Sequence, residues 1–578
     1  MPAMTNPANA ARAGSWRASG AAGSEQAGPA WLQGGWGLAL LALVAVVWFV
    51  SLDARHLLRS DEGRYAEIAR EMFTSGDWVT IRYQGLKYFE KPPLHLWMTV
   101  LAYHAFGVGE WQARLWVGLC GAGGVAIVGA AAARWFGPRA GLLAALALLA
   151  TPTWNIGGHF NSLDMGVAAA LAGVLGAVLM ARHPQATPAA QRGWMLLAWA
   201  AMAVAVLTKG LIGIVLPGMA LVVYSALARD WALWLRLQWL GGLAVFGVIA
   251  APWFVLIELR NPEFAQFFFI HEHWERYTSS VHQRSAPAWY FVPQLLAGFF
   301  PWLGLALRGA GAVRGESAQP GFRPLLFCAV WAGVIFGFFS LSGSKLPGYI
   351  LPVFPALALI AGVALDRLDA AAWARQLVWL LVAGTLALLA STLVGRVPAG
   401  ESNPELQAYG AWLVGACAVA VAGLLLAWRL NRRGRLTSSL VAAGLAFFGA
   451  TTLGLAGHET LGRPSSGADL VPAIQGVLTP GMPIYSVRLL DHTLPFYLRR
   501  TTILVEDPDE LDFGTRQEPQ KWLPTLAAFE QAWVSGVPAL AIMSADTHAA
   551  LQARHLVMHT VAADERRVVV ANFETAHP

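Results

Sequence analysis

Long apolar stretches recur along this chain and limit what it can fold into. A membrane-spanning helix needs roughly 20 mostly apolar residues, and somewhat fewer when its polar ends reach the headgroups. Only 13% of the 578 residues are charged and 56% are hydrophobic, whereas soluble domains have about a quarter of their residues charged. The sequence therefore predicts a polytopic α-helical membrane protein. The expected spans are 35–52, 111–133, 140–153, 163–181, 194–207, 211–227, 238–257, 288–307, 324–341, 348–364, 377–394, 411–428 and 437–456.

The two ends of the chain differ from this apolar part. Residues 1–30 are rich in Ala, Gly and Ser and predict a disordered cytoplasmic tail. The first apolar run begins late and is long enough to span, which indicates an uncleaved first helix of a transmembrane domain at 31–456. Over 457–578 the short strands "MPIYSV", "TTILVE", "ALAIMS" and "RRVVVANF" alternate with helical stretches near 463–477, 489–498, 521–534 and 545–553. That alternation predicts a small C-terminal α/β domain.

One further apolar segment, "PPLHLWMTVLAYHAFG" at 92–107, decides the topology. If it spanned the membrane, every later loop would change sides. Positive charge stays on the cytoplasmic side, and loops with arginines such as Arg134 and Arg308 fall there only if 92–107 does not span. The sequence thus predicts about 13 transmembrane helices, with 92–107 as a helix in the membrane interface and His95 and His104 near water. Loop 53–110 and the C-terminal domain are then external.

Composition and missing motifs exclude several classes of function. All three cysteines lie inside apolar runs, so neither a disulfide framework nor a metal knuckle is expected. The net charge of +6 fits basic cytoplasmic loops, and no nucleic-acid partner is predicted. The chain has no H-E-x-x-H, nucleophile-elbow or Walker sequence, which argues against a zinc protease, a serine hydrolase and an NTPase.

The external loop 53–110 is densely charged for a connector. In "SDEGRYAEIAREMFTSGDW", Asp61 is either a helix cap held by Arg64 or a group that faces a membrane-surface cavity and orients a substrate. In "YQGLKYFEKPPLHLW", Lys91 either reaches lipid headgroups or binds a phosphate at the same depth. The residues of the loop leave both pairs of interpretations open.

Other external loops add further candidates. Asp164 begins a span, where it either caps the helix or serves the site. Lys345 lies with Tyr349 in "LSGSKLPGYILP" and either reaches headgroups or binds phosphate. His271 and its neighbours "HEH" suggest a divalent metal ion held together with Glu90, although two histidines at this spacing are weak evidence for zinc.

These ionisable groups converge on one side of the membrane from four separate loops. Acids are accompanied there by Lys91, Arg276 and Lys345. Charged groups at membrane depth are costly and therefore indicate function. This pattern predicts an anionic, membrane-borne substrate.

The stretch "SDEGRYAEIAREMFTSGDWVTIRYQGLKYFEKPPLHLW" resembles the first external loop of the GT-C membrane glycosyltransferases. It is most similar to that of the lipid A aminoarabinose transferases and their protein O-mannosyltransferase-like relatives. The acidic pair after helix one, "SGDW", "EKPP", an Asp in the second external loop and the C-terminal domain all match. The resemblance implies a monomer that transfers 4-amino-4-deoxy-L-arabinose from undecaprenyl phosphate to a lipid A phosphate. It places that reaction at the periplasmic face of the bacterial inner membrane, with resistance to polymyxin and cationic peptides as the consequence.

The resemblance also implies roles for individual residues. Asp61 would be the principal acid and Asp164 the acid of the second loop, while Lys91 and Arg276 would hold the carrier phosphate. The side chains that would line the site are Arg64, Tyr65, Lys345 and Tyr349. No cofactor is required, and a Zn, Mg or Mn ion at Glu90 and His271 is a hypothesis. Because a lipid A phosphate is already largely ionised, Asp61 is expected to position and polarise the reaction centre rather than abstract a proton.

Two alternatives remain. After "EKP" the chain continues "PLHLW", a form shared with the broader family, so a protein O-glycosyltransferase that uses a polyprenyl-linked sugar is the first. It would need Asp61 as a general base for a hydroxyl acceptor. The second is a lipid transporter or flippase, which predicts charge at the bilayer midplane. Here the charge crowds one external face instead.

Overall fold

The apolar runs of the sequence fold as helices. A helix satisfies its backbone hydrogen bonds within one segment, as a chain surrounded by lipid requires. The computed structural model describes residues 35–275, 286–315, 321–394 and 403–574, without the side chains of 271–275, 310, 312, 314 and 315. The predicted tail at 1–30 and Arg276 therefore lie outside the described residues, as does the side chain of His271.

Before residue 458, the described part of the chain is mainly helical and contains one short hairpin. In chain order its α-helices are α1 (Gly35–Val50), α2 (Asp61–Ser75), α3 (Leu94–Phe106), α4 (Glu110–Phe136), α5 (Pro138–Leu149), α6 (Pro152–Gly158), α7 (Leu163–Arg182), α8 (Pro188–Lys209), α9 (Ile212–Ala228), α10 (Trp239–Arg260), α11 (Phe291–Gly298), α12 (Leu303–Gly315), α13 (Pro324–Leu341), α14 (Phe354–Asp366), α15 (Ala370–Ser391), α16 (Pro404–Arg432) and α17 (Leu436–Gly457).

The number of membrane crossings follows from helix length and composition. Among the described residues, ten helices are long and apolar enough to cross, and twelve if each of two bent helix pairs forms one span. One bent pair is α5 with α6, at 69°, where Pro152 starts a new helix; the other joins Ala288–Gly298 to Leu303–Gly309, at 104°. A further apolar helix, α9, has 17 residues. All thirteen predicted segments are thus helical, while the number of spans stays a prediction.

The loop between α1 and α4 is ordered by helix α2. Strands β1 (Arg82–Tyr83) and β2 (Leu86–Lys87) form a hairpin that packs against α2. Glu71 of α2 accepts hydrogen bonds from the backbone N–H groups of Gln84 and Gly85 at the hairpin tip, at 2.7 and 2.9 Å. The loop is therefore a folded unit and not a mere connector.

Helix α3 occupies the segment that decided the topology. It has 13 residues, fewer than a span needs, which agrees with the prediction that 92–107 does not cross. His104 is exposed, as predicted. The prediction for His95 was wrong: its side chain is fully buried, and its Nε2 lies 2.9 Å from Oδ1 of Asn161. The physical reason is that α3 packs against both α2 and α4, so its first turn faces protein.

The C-terminal domain is a mixed sheet with short helices. Its strands are β3 (Ile484–Val487), β4 (Ile503–Val505), β5 (Leu540–Met543), β6 (His559–Ala563) and β7 (Val568–Ala571), in the sheet order β4-β3-β5-β7-β6. Strand β3 runs parallel to β4 and β5, whereas β7 runs antiparallel to both of its neighbours. The helices are α18 (Glu459–Ser466), α19 (Val471–Val477), α20 (Leu494–Leu498), α21 (Asp512–Gln517), α22 (Leu526–Trp533) and α23 (Ala545–Gln552).

Four of the five strands and most of the helices match the prediction. The structure confirms the four predicted strands as β3, β4, β5 and β7, each of which is largely apolar and buried. Strand β6 was missed because its residues are only partly buried and show no clear alternation. Helix α21 was also missed, since its sequence "DFGTRQ" has no helical periodicity.

The C-terminal domain packs directly on the folded loop. Gly63 of α2 lies against the backbone of His492, where an added Cβ would come within 2.3 Å of the carbonyl oxygen. Arg82 pairs with Glu518 at 2.9 Å, and the hydroxyl of Tyr83 lies 2.8 Å from Nδ1 of His492. Because the two parts also share one hydrophobic core, side chains of the C-terminal domain can reach residues on α2.

Candidate active site

A buried ion-pair network fixes the start of helix α2. Glu62 is fully buried and lies between two arginines. Arg55 donates to it at 2.5 and 3.0 Å, and the Nε of Arg114 on helix α4 donates at 2.9 Å. The backbone N–H of Asn161, just before α7, donates to the same carboxylate at 2.9 Å. Glu62 thereby ties the external loop to two membrane helices.

The electrostatics of this network keep Glu62 ionised. Burial by itself raises the pKa of the Glu62 carboxyl, but the guanidinium groups of Arg114 and Arg55 outweigh burial and lower the pKa to about 2. Two cations facing one anion leave a net positive charge, which the low polarity of the interior makes significant. These contacts anchor the first turn of α2, which also carries Asp61.

Asp61 lies in the first turn of α2, next to Glu62. Successive helical residues point about 100° apart, so Asp61 leaves the buried network and its side chain is 26% exposed. It pairs with Arg64 one turn later, as the structural interpretation of the sequence anticipated. Asp61 is the first residue of α2 and not its cap, because Ser60 occupies the N-cap position, where its side chain makes no capping hydrogen bond.

Arg64 connects Asp61 to the C-terminal domain. One amino group of its guanidinium pairs with Asp61 and the other pairs with Glu510. The guanidinium also lies over the ring of Tyr65, 5.1 Å from the centroid. Burial raises the pKa of Glu510 to about 7, against the opposing effect of Arg64.

The "EKPP" motif lies beside the same group. The hydroxyl of Tyr88 donates to Glu90 at 3.3 Å, and Lys91 pairs with Glu90 at 3.6 Å. Burial, followed by the negative charges of neighbours that include Glu90, raises the pKa of the Tyr65 and Tyr88 phenols. Both tyrosines therefore keep their protons, which Tyr88 donates to Glu90 and Tyr65 can donate to an anionic ligand.

A second cluster surrounds Asp164 at the start of α7. Asp164 pairs with Lys209, the last residue of α8. The Lys209 ammonium lies 4.5 Å from the centroid of the Tyr349 ring. Gly348 packs so tightly on Asp164 that an added Cβ would come within 2.3 Å of its Oδ2. In the same loop, Lys345 is buried and its Nζ donates to the backbone oxygen of Ser342 at 2.5 Å.

The two clusters lie near each other. The charge of Asp61 contributes to the electrostatic surroundings of both Lys209 and His95. The structure therefore brings Asp61, Arg64 and Tyr65 together and sets them beside the pair formed by Asp164 and Lys209. Residues that are widely separated in the sequence therefore act on one another here, while their position on the external side of the membrane stays a prediction.

The predicted metal site at Glu90 and His271 and the predicted phosphate ligand Arg276 are only partly within the described residues. Arg276 and the side chain of His271 lie outside the described residues. In the described part of the chain, no group of three or more His, Cys, Asp or Glu side chains is arranged to hold a metal ion. Glu90 pairs with Lys91, and a metal ion held by Glu90 and His271 stays a hypothesis.

Comparison with known proteins adds a family to this geometry. The crystal structure of ArnT from Cupriavidus metallidurans bound to undecaprenyl phosphate is 52% identical and superposes with a TM-score of 0.90, covering 94% of this chain and 99% of that one. A relative from Aeromonas salmonicida, named undecaprenyl phosphate-alpha-4-amino-4-deoxy-L-arabinose arabinosyl transferase, is 33% identical over 399 residues, which are 67% of this chain and 69% of the relative.

The chain belongs to the aminoarabinose transferase family. Two family models agree: the aminoarabinose transferase C-terminal domain matches residues 470–572, and the dolichyl-phosphate-mannose-protein mannosyltransferase family matches residues 37–268. The family resemblance and the GT-C fold predicted from the loop motifs are thereby confirmed. The chain spans 60% of the relative from Edwardsiella ictaluri and 69% of the one from Aeromonas salmonicida.

The candidate site of this aminoarabinose transferase family member contains three types of functional group. Carboxylates at Asp61 and Asp164 can orient a cationic or hydroxylic group. Ammonium and guanidinium groups can balance the charge of a phosphate. Protonated tyrosines add neutral donors. Together these groups can bind a ligand that carries a phosphate and a polar sugar.

Sequence reasoning missed two residues of this family member's site. Lys209 was counted only as loop charge. It lies at the end of an apolar helix, as Asp164 does, and that position could have marked it as a candidate site residue too. Glu510 gave no signal, because it is separated from Arg64 by 446 residues and lies in a domain without a catalytic motif.

Proposed function

We propose that this chain transfers 4-amino-4-deoxy-L-arabinose from undecaprenyl phosphate to a phosphate of lipid A. The observation that carries the proposal is the 52% identity, over 94% of the chain, to ArnT from Cupriavidus metallidurans bound to undecaprenyl phosphate. The names of the curated relatives state the same sugar and carrier. The reaction would occur at the periplasmic face of the bacterial inner membrane, an orientation supported by the arginine-rich loops expected on the other side.

The chemistry is a displacement at the anomeric carbon of the sugar. An oxygen of the acceptor phosphate forms the new bond to that carbon, and the bond to the carrier phosphate breaks, releasing undecaprenyl phosphate. Negative charge moves onto the leaving phosphate, so cations fixed around it lower the barrier most. Lys91 and Lys345, with Arg276, are the groups proposed to balance that charge.

Asp61 is proposed to position the donor sugar. The acceptor phosphate is already ionised near neutral pH, so it needs no strong base. The amino group of the donor sugar is a cation, and the partly exposed carboxylate of Asp61 is a suitable partner for it. Arg64 holds that carboxylate in place from the other side.

A second candidate is transfer to a protein hydroxyl group. It is favoured by the match of residues 37–268 to the protein mannosyltransferase family. A neutral hydroxyl acceptor would require a general base, and Asp61 would take that role. The two candidates differ in the acceptor and not in the use of a polyprenyl carrier.

An assay with purified protein and the aminoarabinose donor distinguishes the lipid A acceptor from the protein acceptor. Lipid A and a Ser/Thr-rich peptide are offered in separate reactions, and the products are weighed by mass spectrometry. Lipid A should gain the mass of one aminopentose residue and the peptide should remain unchanged. A mass gain on the peptide alone would support the protein acceptor. No gain of mass on either acceptor would contradict both candidates.

A further inference from the structure

We propose that Glu510 of the C-terminal domain is a positioning residue of the active site, which holds Arg64 and, through it, Asp61. The inference rests on the proposed function and extends it, because it makes the C-terminal domain a working part of the site. Glu510 itself is not assigned a contact with the reacting atoms.

The first step is the geometry of Arg64. Its two terminal nitrogens divide their hydrogen bonds between Asp61 and Glu510. A guanidinium is planar and its donors form a rigid fork, so the anchoring of one arm fixes the direction of the other. Asp61, at 26% side-chain exposure, has room to turn toward water, whereas Arg64 is only 8% exposed. The orientation of Asp61 therefore depends on what holds Arg64.

The second step is that Glu510 is itself rigidly held. It lies in the 3₁₀ turn Asp509–Leu511, in which Leu511 is buried in the core shared with the external loop. Helix α21 follows at once, and its Gly514 packs against the backbone of Lys87, where an added Cβ would lie 2.6 Å from the carbonyl oxygen. Glu510 is thus an anchored group and not the tip of a mobile loop.

The third step is the charge balance around the pair. The titratable and charged side chains that surround Glu510 come from α2, from the hairpin with its following loop, and from the C-terminal domain. They are Asp61, Arg64, Tyr65, Tyr83, Tyr88, Glu90, His492 and Asp509. Three of them, Asp61, Glu90 and Asp509, are carboxylates, and Arg64 is the cation that pairs with Glu510 among these neighbours. The loss of the negative charge at 510 would leave Arg64 shared by fewer anions and redirect its hydrogen bonds.

A pH dependence gives this role a distinctive readout. Burial raises the pKa of Glu510 to about 7, above its ordinary value of 4.5. Glu510 is therefore ionised and able to anchor Arg64 above that pH, and it becomes neutral below it. Any part of the rate that needs the ion pair rises as the pH increases through about 7.

The experiment compares wild-type protein with Glu510→Gln, Glu510→Asp and Glu518→Gln. The glutamine variant keeps the shape and a hydrogen-bond acceptor but removes the charge, while the aspartate variant keeps the charge on a shorter side chain. Glu518 is the matched control, because it also joins the C-terminal domain to the loop, through Arg82 at 2.9 Å, without touching Arg64. Aminopentose transfer to lipid A is measured as kcat and KM at several pH values.

We expect Glu510→Gln to lower kcat by about tenfold or more above neutral pH, since small misplacements of a reacting group have effects of this size or larger. The KM for the donor should stay nearly unchanged. The ratio of wild-type to variant rates should fall toward one below the pKa of Glu510, and Glu510→Asp should recover part of the loss. The ionisation of the acceptor phosphate cancels in this ratio. Glu518→Gln should remain close to wild type at every pH.

Other results overturn the inference. A Glu510→Gln protein that matches the wild type at all pH values shows that Glu510 positions nothing. Equal losses in the Glu510 and Glu518 variants, with a rate ratio independent of pH, show that the contacts only dock the domain. Wild-type protein that transfers no aminopentose overturns the proposed function itself, and the inference with it, which is a different outcome from an active wild type with an unaffected variant.

Discussion

Asp164 and Lys209 form an ion pair that joins the first turn of helix α7 to the last residue of helix α8. The two residues are 45 positions apart in the chain. The ring of Tyr349 covers the lysine, and Gly348 closes on the aspartate. Residues from three segments thus meet here, and the charge of Asp61 acts on the lysine of this cluster.

This pair predicts coupled effects on catalysis. Lys209→Met leaves Asp164 without its cation and should lower kcat at least about tenfold, as expected for a lost charge partner at membrane depth. Asp164→Asn should have a similar effect, and the double variant should be little worse than either single one, since residues that act as a pair are not additive. Lys521→Met, at an exposed lysine, is the control. Additive losses would mean that the two residues act separately.

The Glu62 network predicts a stability effect that is separate from catalysis. Glu62→Gln leaves Arg55 and Arg114 buried without their shared anion, which should destabilise the fold by about 3–5 kcal/mol. Glu530→Gln, which breaks the exposed pair with Arg554, should change stability by less than about 1 kcal/mol. Thermal denaturation in detergent measures both. Similar midpoints for the two variants would contradict the assigned role of Glu62.

The same network predicts how stability responds to acid. The folded pKa of Glu62 is lowered to about 2 from its ordinary value of 4.5 by Arg114 and Arg55, which together outweigh burial. A carboxyl with a lowered pKa stabilises the fold fully above its unfolded pKa, and this contribution disappears as the pH falls through the folded value. The gap in denaturation midpoint between wild type and Glu62→Gln should therefore be constant near neutral pH and narrow below about 4.5. A gap that widened in acid would show the opposite sign.

Asp61→Asn tests how the principal acid acts. If Asp61 positions the sugar, the substitution should lower kcat about 100-fold or more, by a factor that stays constant at pH values above the pKa of Glu510, about 7, where Arg64 is anchored. If it is a general base, the wild-type rate should fall in acid with a limb that the variant lacks. Asp53→Asn, at an exposed position in the same loop, is the control. Full activity of Asp61→Asn would exclude both roles.

Metal removal tests the hypothesis at Glu90 and His271. We expect transfer to continue at an unchanged rate after dialysis against a strong chelator, because Lys91, Lys345 and Arg276 are sufficient in charge to balance one phosphate. Elemental analysis of the untreated protein, and the rate after zinc, magnesium or manganese is restored, complete the measurement. A large loss that one metal reverses would show that the ion is required.

Local sequence patterns predicted most of the helices and strands of this fold. Apolar length alone located the thirteen helical segments, and the runs "MPIYSV" and "ALAIMS" located two of the central strands. Where the local pattern was weak, as in the partly exposed strand β6, the prediction failed. The prediction that His95 lies near water failed for another reason. Its helix contacts protein on two sides, and the sequence pattern of one helix does not show which other elements pack against it.

The sequence by itself determined the membrane class, the charged loop 53–110 and the side chains one helical turn apart, such as Asp61 and Arg64, because helix geometry relates such neighbours directly. Only the tertiary structure decided that Glu62 joins Arg114, that Asp164 joins Lys209 and that Arg64 joins Glu510, across 52, 45 and 446 residues. An ion pair depends on distances of a few ångströms between elements. Those distances come from how helices and a separate sheet domain pack together, which no local stretch of sequence encodes.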